Sequence, residues 1–326
     1  MNTHPYDRLT PDRVIAAVES AGYLSDMRLL ALNSYENRVY QVGIEDSVPL
    51  IAKFYRPGRW SDAQILEEHS FSAELQAADI SVVAPLANAD GATLHEHDGF
   101  RFALFTRRGG YPPELDNLDN LLVLGRTLGR IHAVGRSARF EHRITLSVET
   151  MLADSREFLL EHFIPTALRP AYETLTRDLL QAVQEVLAPM QGEDLIRVHG
   201  DCHIGNILWR DEVAHFVDLD DCCMAPAIQD LWMFLNGERH ARQLQLSELV
   251  EGYREFCDFE PRQLRWVEAL RTLRLAHYAA WLGRRWEDPA FPHSFTWFNT
   301  ERYWAEHILE LREQLANLQE PPLTLL

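Results

Sequence analysis

The sequence predicts an α+β chain folded as two lobes, a small β-rich lobe over residues 1–107 and a larger, mainly helical lobe over residues 108–326. Three observations predict it. Strand-like alternation of apolar and polar side chains is concentrated in the first third of the chain. The run Arg107-Arg108-Gly109-Gly110-Tyr111-Pro112-Pro113 is rich in chain breakers and supplies a hinge. Beyond it helical periodicity dominates, interrupted by one β-rich island over residues 196–221.

The elements follow in order. Residues 10–19 read as a short helix with Pro11 in its first turn, where a missing N–H costs nothing. Residues 37–44 and 49–55 read as a hairpin around Glu45-Asp46-Ser47, ended by Arg56-Pro57-Gly58. Ser61 is a helix N-cap with Gln64 at the capping-box position, opening a helix over 62–77. Residues 81–84 and 100–105 complete a strand, strand, helix, strand, strand order. In the second lobe helices are expected over 117–134, 147–162, 170–189, 226–236, 244–256, 261–286 and 299–319. Two lobes of this kind leave a cleft between them for a site.

Composition narrows the function. At 326 residues and 46% hydrophobic content the chain fills two ordinary domains. It lacks the roughly 18 to 20 uninterrupted apolar residues of a membrane span. Residues 1–12 are polar and carry no secretory pattern, so a cytoplasmic protein without a membrane partner is expected. Its four cysteines are too few and too irregular for a disulfide framework, and Cys222 and Cys223 are expected to be buried and inert. The 14 histidines show no zinc-ligand spacing with cysteine, so no transition-metal site is expected. A net charge of −18 argues against nucleic acid as a partner, because phosphate backbones need a basic surface. A mononucleotide is different, since one local cation and metal ions suffice to hold it. Lys53 is the only lysine of the chain. It is a compact point charge in a protein that otherwise uses arginine, and the two are not interchangeable between phosphate oxygens and a carboxylate.

The island carries the chemistry. It reads His199-Gly200-Asp201-Cys202-His203-Ile204-Gly205-Asn206 and then Val217-Asp218-Leu219-Asp220-Asp221. Phosphoryl transfer to an alcohol needs a carboxylate that accepts or orients the hydroxyl proton. It also needs oxygen ligands that hold Mg²⁺ against the β- and γ-phosphates. Asp201 and Asn206, five residues apart, fit a base and a metal-ligating amide. Asp218 ends a strand after the hairpin turn at 210–212, which brings a second catalytic, metal-binding carboxylate to the mouth of the cleft. The pattern His-Gly-Asp-x-x-x-x-Asn arises by chance on the order of once per thousand chains of this length. With Asp218 and the Lys53 strand added, that outweighs the reading in which these residues merely cap turns and form a solvated acidic corner.

Leu50-Ile51-Ala52-Lys53-Phe54-Tyr55 resembles the kinase strand whose lysine grips the α- and β-phosphates of ATP. Its carboxylate partner belongs on the following helix. Glu68 shares a face with Phe71, Ser72 and Leu75 and should point inward, whereas Glu67 shares its face with Ser70 and Glu74 and should meet water. Upstream, residues 32–40 occupy the place of a nucleotide-covering loop, without the glycines of such loops. There Ser34 and Asn37 offer small polar groups to phosphate oxygens.

With these residues in place the chain resembles the aminoglycoside phosphotransferase and choline kinase superfamily, through the loop 199–206, Asp218, and Asp230 in Ile228-Gln229-Asp230-Leu231-Trp232. Segments 32–40, 53–60, 65–69, 199–211, 216–221 and 281–292 resemble a group of bacterial stress-response kinases within it. The resemblance implies a bilobal protein-kinase-like fold and a cytoplasmic serine/threonine protein kinase with ATP and Mg²⁺ as cofactors and a protein hydroxyl as acceptor. It implies Asp201 as proton acceptor, Asn206 and Asp218 as metal ligands, Ser34 at the ATP site, and Asp230 as a brace for the catalytic loop. A small alcohol or sugar acceptor is the alternative. A non-catalytic nucleotide-binding scaffold is disfavoured because Lys53, Asp201, Asn206 and Asp218 are all present. Gly200 stands where protein kinases carry arginine, and Asp218-Leu219-Asp220 stands for Asp-Phe-Gly. Between Asp218 and Asp230 lie only eleven residues, with no serine, threonine or tyrosine, so no phosphorylated activation loop is expected. The arginines and aromatics of residues 271–286 are expected mainly as core with snorkelling charges.

Overall fold

The computed structural model describes residues 4–326. The first lobe contains α1 (Pro11–Ser20), β1 (Ser25–Ala31), β2 (Arg38–Ile44), β3 (Leu50–Phe54), α2 (Asp62–Ala77), β4 (His95–His97) and β5 (Phe100–Thr106). Its strands form one antiparallel sheet in the order β1-β2-β3-β5-β4. Val42, Ala52, Phe54, Phe102 and Leu104 of this sheet pack against Val14, Ala17 and Val18 of α1. Each fully buried valine or phenylalanine there contributes about 1.5–3 kcal/mol. Register places Lys53 opposite Val39 on one side and Ala103 on the other, so the lysine sits in the middle of the sheet. The cap of α2 forms as expected: Gln64 N–H donates to Ser61 Oγ at 3.3 Å and Ser61 N–H to Gln64 Oε1 at 2.9 Å.

Two strands differ from expectation. Residues 81–84 are not a strand; Val82 makes only a bridge to Phe216. The outer positions of the sheet are held by β1 and β4, which the sequence hides. In β1, Met27 has φ 68° and the register shifts between Ser25 and Leu29, so the alternation that marks a strand is lost.

The second lobe comprises α3 (Leu118–Gly135), α4 (Asp154–His162), α5 (Arg169–Leu187), β6 (Leu195–Val198), β7 (Ile207–Arg210), β8 (Val213–Phe216), β9 (Cys223–Pro226), α6 (Ile228–Leu231), α7 (Arg239–Arg254), α8 (Val267–Arg284), α9 (Ala290–Ser294) and α10 (Glu301–Asn317). β6 pairs with β9 and β7 with β8, both antiparallel. Helices α3 and α7 meet at glycine: a Cβ on Gly125 would lie 2.0 Å from the Leu249 carbonyl oxygen, and one on Gly252 2.1 Å from that of Leu122. That close contact forms a platform under β6 and β9, whose Val198, Cys223 and Ala225 belong to the same buried cluster. A second core gathers α4, α5, α8 and α10 around Tyr172, Leu179, Phe291 and Trp304.

Candidate active site

Strand β6 delivers the catalytic loop, and a buried carboxylate holds its shape. Asp230, fully buried, accepts hydrogen bonds from the backbone N–H groups of His199 (2.8 Å) and Gly200 (2.9 Å). His132 Nε2 stands 2.9 Å from the same carboxylate. Gly200 has φ +85°, and a Cβ there would lie 2.1 Å from the Asp221 carbonyl oxygen. Glycine is therefore required on two counts, backbone conformation and space. The chain then turns so that Asn206 Nδ2 donates to the Asp201 carbonyl at 2.9 Å and approaches Asp201 Oδ2 at 3.4 Å. With Nδ2 so occupied, Asn206 keeps its amide oxygen for a cation.

Hairpin β7–β8 returns the chain to Asp218, which adopts φ 59°, ψ 63°. Left-handed backbone at a non-glycine residue is uncommon and concentrates at functional sites. The Asp218 carboxylate is half exposed to the cleft, with Oδ1 2.9 Å from Lys53 Nζ. Lys53, 6% exposed, also stands 3.1 Å from Asp220 and 3.6 Å from Glu68. Burial alone would drive this ammonium toward neutrality. Asp218, Asp220 and Glu68 outweigh it and hold the pKa well above the ordinary lysine value. Glu68 is the opposite case: burial pushes it up to about 7 against the pull of Lys53, with Asp220 adding to the rise.

The site residues inferred from the sequence thus converge on one cleft of about 960 Å³, lined by Ser34, Lys53, Glu68, Asp201, Asn206 and Asp218 among others. Glu68, not Glu67, faces the lysine. Glu67 does not simply meet water, however; it accepts the backbone N–H groups of residues 141–143 at 2.6–2.9 Å. Nor is Glu74 a solvent charge, since Arg197 binds it through two nitrogens at 3.0 and 2.7 Å. Ser34 donates to the Asn37 carbonyl at 3.0 Å at the rim of the cleft. Asn37 does not offer its side chain to phosphate. It is buried, donating to Asp220 at 3.2 Å and accepting from Arg56 N–H at 3.1 Å, so it ties the covering loop to the floor.

The sequence matches the phosphotransferase enzyme family over residues 28–267. The chain belongs to that family. It is 45% identical over 323 residues to stress response kinase A of Escherichia coli strain K12, covering 98% of this chain and 97% of that one. It is 43% identical over 325 residues to the serine/threonine protein kinase RdoA of Salmonella typhimurium strain LT2, covering 99% and 98%. Among solved structures, an amicoumacin kinase in complex with AMP-PNP and Ca²⁺ superposes with TM-score 0.73 at 19% identity, over 95% of this chain and 94% of that one. Spectinomycin phosphotransferase superposes with TM-score 0.64 at 15% identity, over 95% and 94%. The α+β bilobal fold is that of these kinases, and the chain is an ATP-dependent phosphotransferase.

Within this phosphotransferase, four residues of the site have no signal of their own in the sequence. Asp220, buried, accepts from Asn37 and meets Lys53 and Arg59; burial would raise its pKa, but Lys53, Arg59 and Arg143 outweigh it and hold it below the usual carboxylate range. Arg59 also meets Asp221 at 2.5 Å, and Arg143 donates to the Cys222 carbonyl at 2.9 Å. Arg274 of α8 reaches Asp201 Oδ1 at 2.5 Å, while His203 lies 3.5 Å from Oδ2. Burial would raise the Asp201 pKa; His203 and Arg274 together lower it below the ordinary value. Asp201 is therefore held in its anionic form. Apart from His203, these partners are distant in sequence, so no local spacing announces them. Arg274 also corrects the expectation for 271–286: Arg274, His277, Tyr278, Trp281, Arg284 and Arg285 line the cleft.

Two negative expectations concern the same region. From Asp218 the chain runs through a tight turn over Leu219–Asp221 directly into β9 and α6, with every residue from Cys222 to Asp230 buried. There is no exposed segment for a kinase to modify. All four cysteines are buried and unpaired; burial pushes the Cys222 thiol up to about 12 and that of Cys223 well above its ordinary value. No group of three or more His, Cys, Asp or Glu side chains forms a metal cage among the described residues. No helix of the described residues is long and apolar enough to cross a membrane.

Proposed function

We propose that this chain is a cytoplasmic serine/threonine protein kinase of the bacterial stress response, transferring the γ-phosphoryl group of ATP to a protein hydroxyl. The observation that carries the chemistry is the convergence of Asp201, Asn206, Asp218 and Lys53 on one cleft. The lobe of residues 1–107 supplies the nucleotide side and residues 108–326 the catalytic loop and acceptor side. The name of the relative at 43% identity, a serine/threonine protein kinase, favours a protein acceptor.

In this reading Lys53 binds the α- and β-phosphates and is kept charged by Glu68. Ser34 and its neighbours cover the phosphates. Asn206 Oδ1 and the exposed oxygen of Asp218 would hold Mg²⁺, which would supply charge neutralisation for the transferring phosphate. Asp201 orients the acceptor hydroxyl in line with the γ-phosphorus. The new O–P bond forms as the bond to the β-phosphate bridging oxygen breaks, ADP departs, and the hydroxyl proton passes to Asp201 late in the step. Arg274 holds the Asp201 carboxylate ionised and aimed.

A small-molecule acceptor has one specific point in its favour. The cleft is walled by the aromatic rings of Tyr35, Trp281 and Phe295, as a pocket for a compact ligand would be. Labelled ATP and Mg²⁺ supplied with generic proteins, and separately with a panel of alcohols, decides between them, with Asp201→Ala as control. Label in protein that vanishes in the variant supports the proposal. Turnover with alcohols alone overturns it.

A further inference from the structure

Helix α8 runs along the acceptor side of the cleft, and one face of it lines the cavity with Leu270, Arg274, His277, Tyr278, Trp281 and Arg284. In a chain of net charge −18, residues 269–286 contain four arginines and no aspartate or glutamate. Two carboxylates that meet this face are engaged by it. Glu36 accepts from Trp281 Nε1 at 2.7 Å and from Arg285 at 3.0 Å, and it also stands 3.0 Å from Arg56. Asp201 is held by Arg274. A cationic acceptor entering along this face would meet its arginines, and the like charges would oppose it.

The arginines are not symmetrically cancelled. Arg284 makes no ion pair among the described residues; it donates to the Asp154 carbonyl at 3.3 Å and lies over the Phe158 ring at 5.0 Å. Arg274 uses one nitrogen for Asp201, and its side chain is 36% exposed. Between them, His277 presents a buried Nδ1 with no hydrogen-bond partner. Burial and then Arg284, Arg285, Arg59 and Arg274 push His277 down to about 4. An orphaned polar atom in a positive field, beside the stacked rings of Tyr278 and Trp281, marks a place where a ligand completes the structure.

We infer that the α8 face is the acceptor site and that it takes an anionic acceptor: a serine or threonine whose neighbouring side chains are acidic, interspersed with apolar ones. Arg284, with Arg274 beyond its bond to Asp201, receives the acidic side chains. Tyr278 and Trp281 bury the apolar ones, and His277 Nδ1 hydrogen-bonds the acceptor. This deepens the proposed function and rests on it for the choice of a peptide over a small alcohol.

The test uses the full-length protein with Mg²⁺ and ATP and two sets of serine peptides, matched except that flanking positions are glutamate in one and arginine in the other. The expected result is kcat/KM about tenfold or more in favour of the acidic set, the size of one well-placed charge contact. Arg284→Gln should cut that ratio several-fold and Arg284→Glu should invert it, with thermal melting confirming that each variant is folded. A wild-type preference for the arginine set, or a ratio that neither Arg284 variant moves, overturns the inference. Should no peptide accept phosphate, the protein-kinase reading falls. The charge inference is then judged on two matched alcohols, one bearing a carboxylate and one an amine: preference for the carboxylate sustains it, and preference for the amine overturns it.

Discussion

Replacing Glu68 by glutamine should change how stability depends on pH, and in a direction that the usual behaviour of a lysine-paired carboxylate does not suggest. Glu68 is 3% exposed and shares Lys53 with Asp218 and Asp220, so three carboxylates compete for one ammonium. Burial raises its pKa from 4.5 to about 7. A carboxyl group with a raised folded-state pKa binds its proton more tightly when folded. Its contribution to stability is whole below pH 4.5 and is lost as pH rises through 7. A difference of about 2.5 between folded and unfolded pKa corresponds to about 3 kcal/mol. Glu68→Gln removes this titration while keeping the shape and one hydrogen-bonding oxygen. Urea denaturation of both proteins at pH 5, 6, 7 and 8 should show the variant gaining on the parent by about 3 kcal/mol in all between the acid and alkaline ends. Other groups cancel in the comparison. Transfer activity should fall, because Lys53 loses the carboxylate that aims it. Parallel stability profiles, with a gap that does not change with pH, would refute the assignment of Glu68 as the strained member of the cluster.

Lys53→Arg keeps the charge but replaces a point donor lodged among carboxylates at 2.9, 3.1 and 3.6 Å by a planar fork too large for the space. Nucleotide affinity should drop by about tenfold or more, measured by titration with a fluorescent ATP analogue. Asp230→Ala leaves the N–H groups of His199 and Gly200 buried without an acceptor and His132 without its partner. It should cost about 3 kcal/mol or more in chemical denaturation, and kcat should fall further than nucleotide affinity because the loop bearing Asp201 loosens. Chelation of divalent cations should abolish transfer and weaken nucleotide binding, with Mg²⁺ restoring both; transfer that persists in chelator would remove Asn206 and Asp218 from the roles proposed for them. Phosphopeptide mapping after autophosphorylation should find no site between residues 218 and 230.

Much of the molecule was legible because its determinants are local. The capping box at Ser61 and Gln64, the helical face that puts Glu68 rather than Glu67 inward, and the Asp201–Asn206 spacing are each decided within one turn or one loop. What failed was of another kind. Residues 81–84 have strand composition but lack a neighbouring strand long enough to pair with, and β1 lies hidden behind a left-handed residue. The sequence gives Asp220 no role of its own, yet it is buried by partners 161 to 183 residues away.

By itself the sequence determined the chemistry of this phosphotransferase: a lone lysine, a base and amide five residues apart, and a carboxylate at a strand end, all set by short-range spacing. Only the tertiary structure decided which charges meet. Arg274 reaches Asp201 across 73 residues and Glu36 reaches Arg285 across 249, because electrostatic pairing acts through space and leaves no periodic trace along the chain. The acceptor side is built from such pairings. That is why the residues that transfer phosphate can be read from the sequence, while those that choose its recipient emerge only when α8 is seen against the cleft.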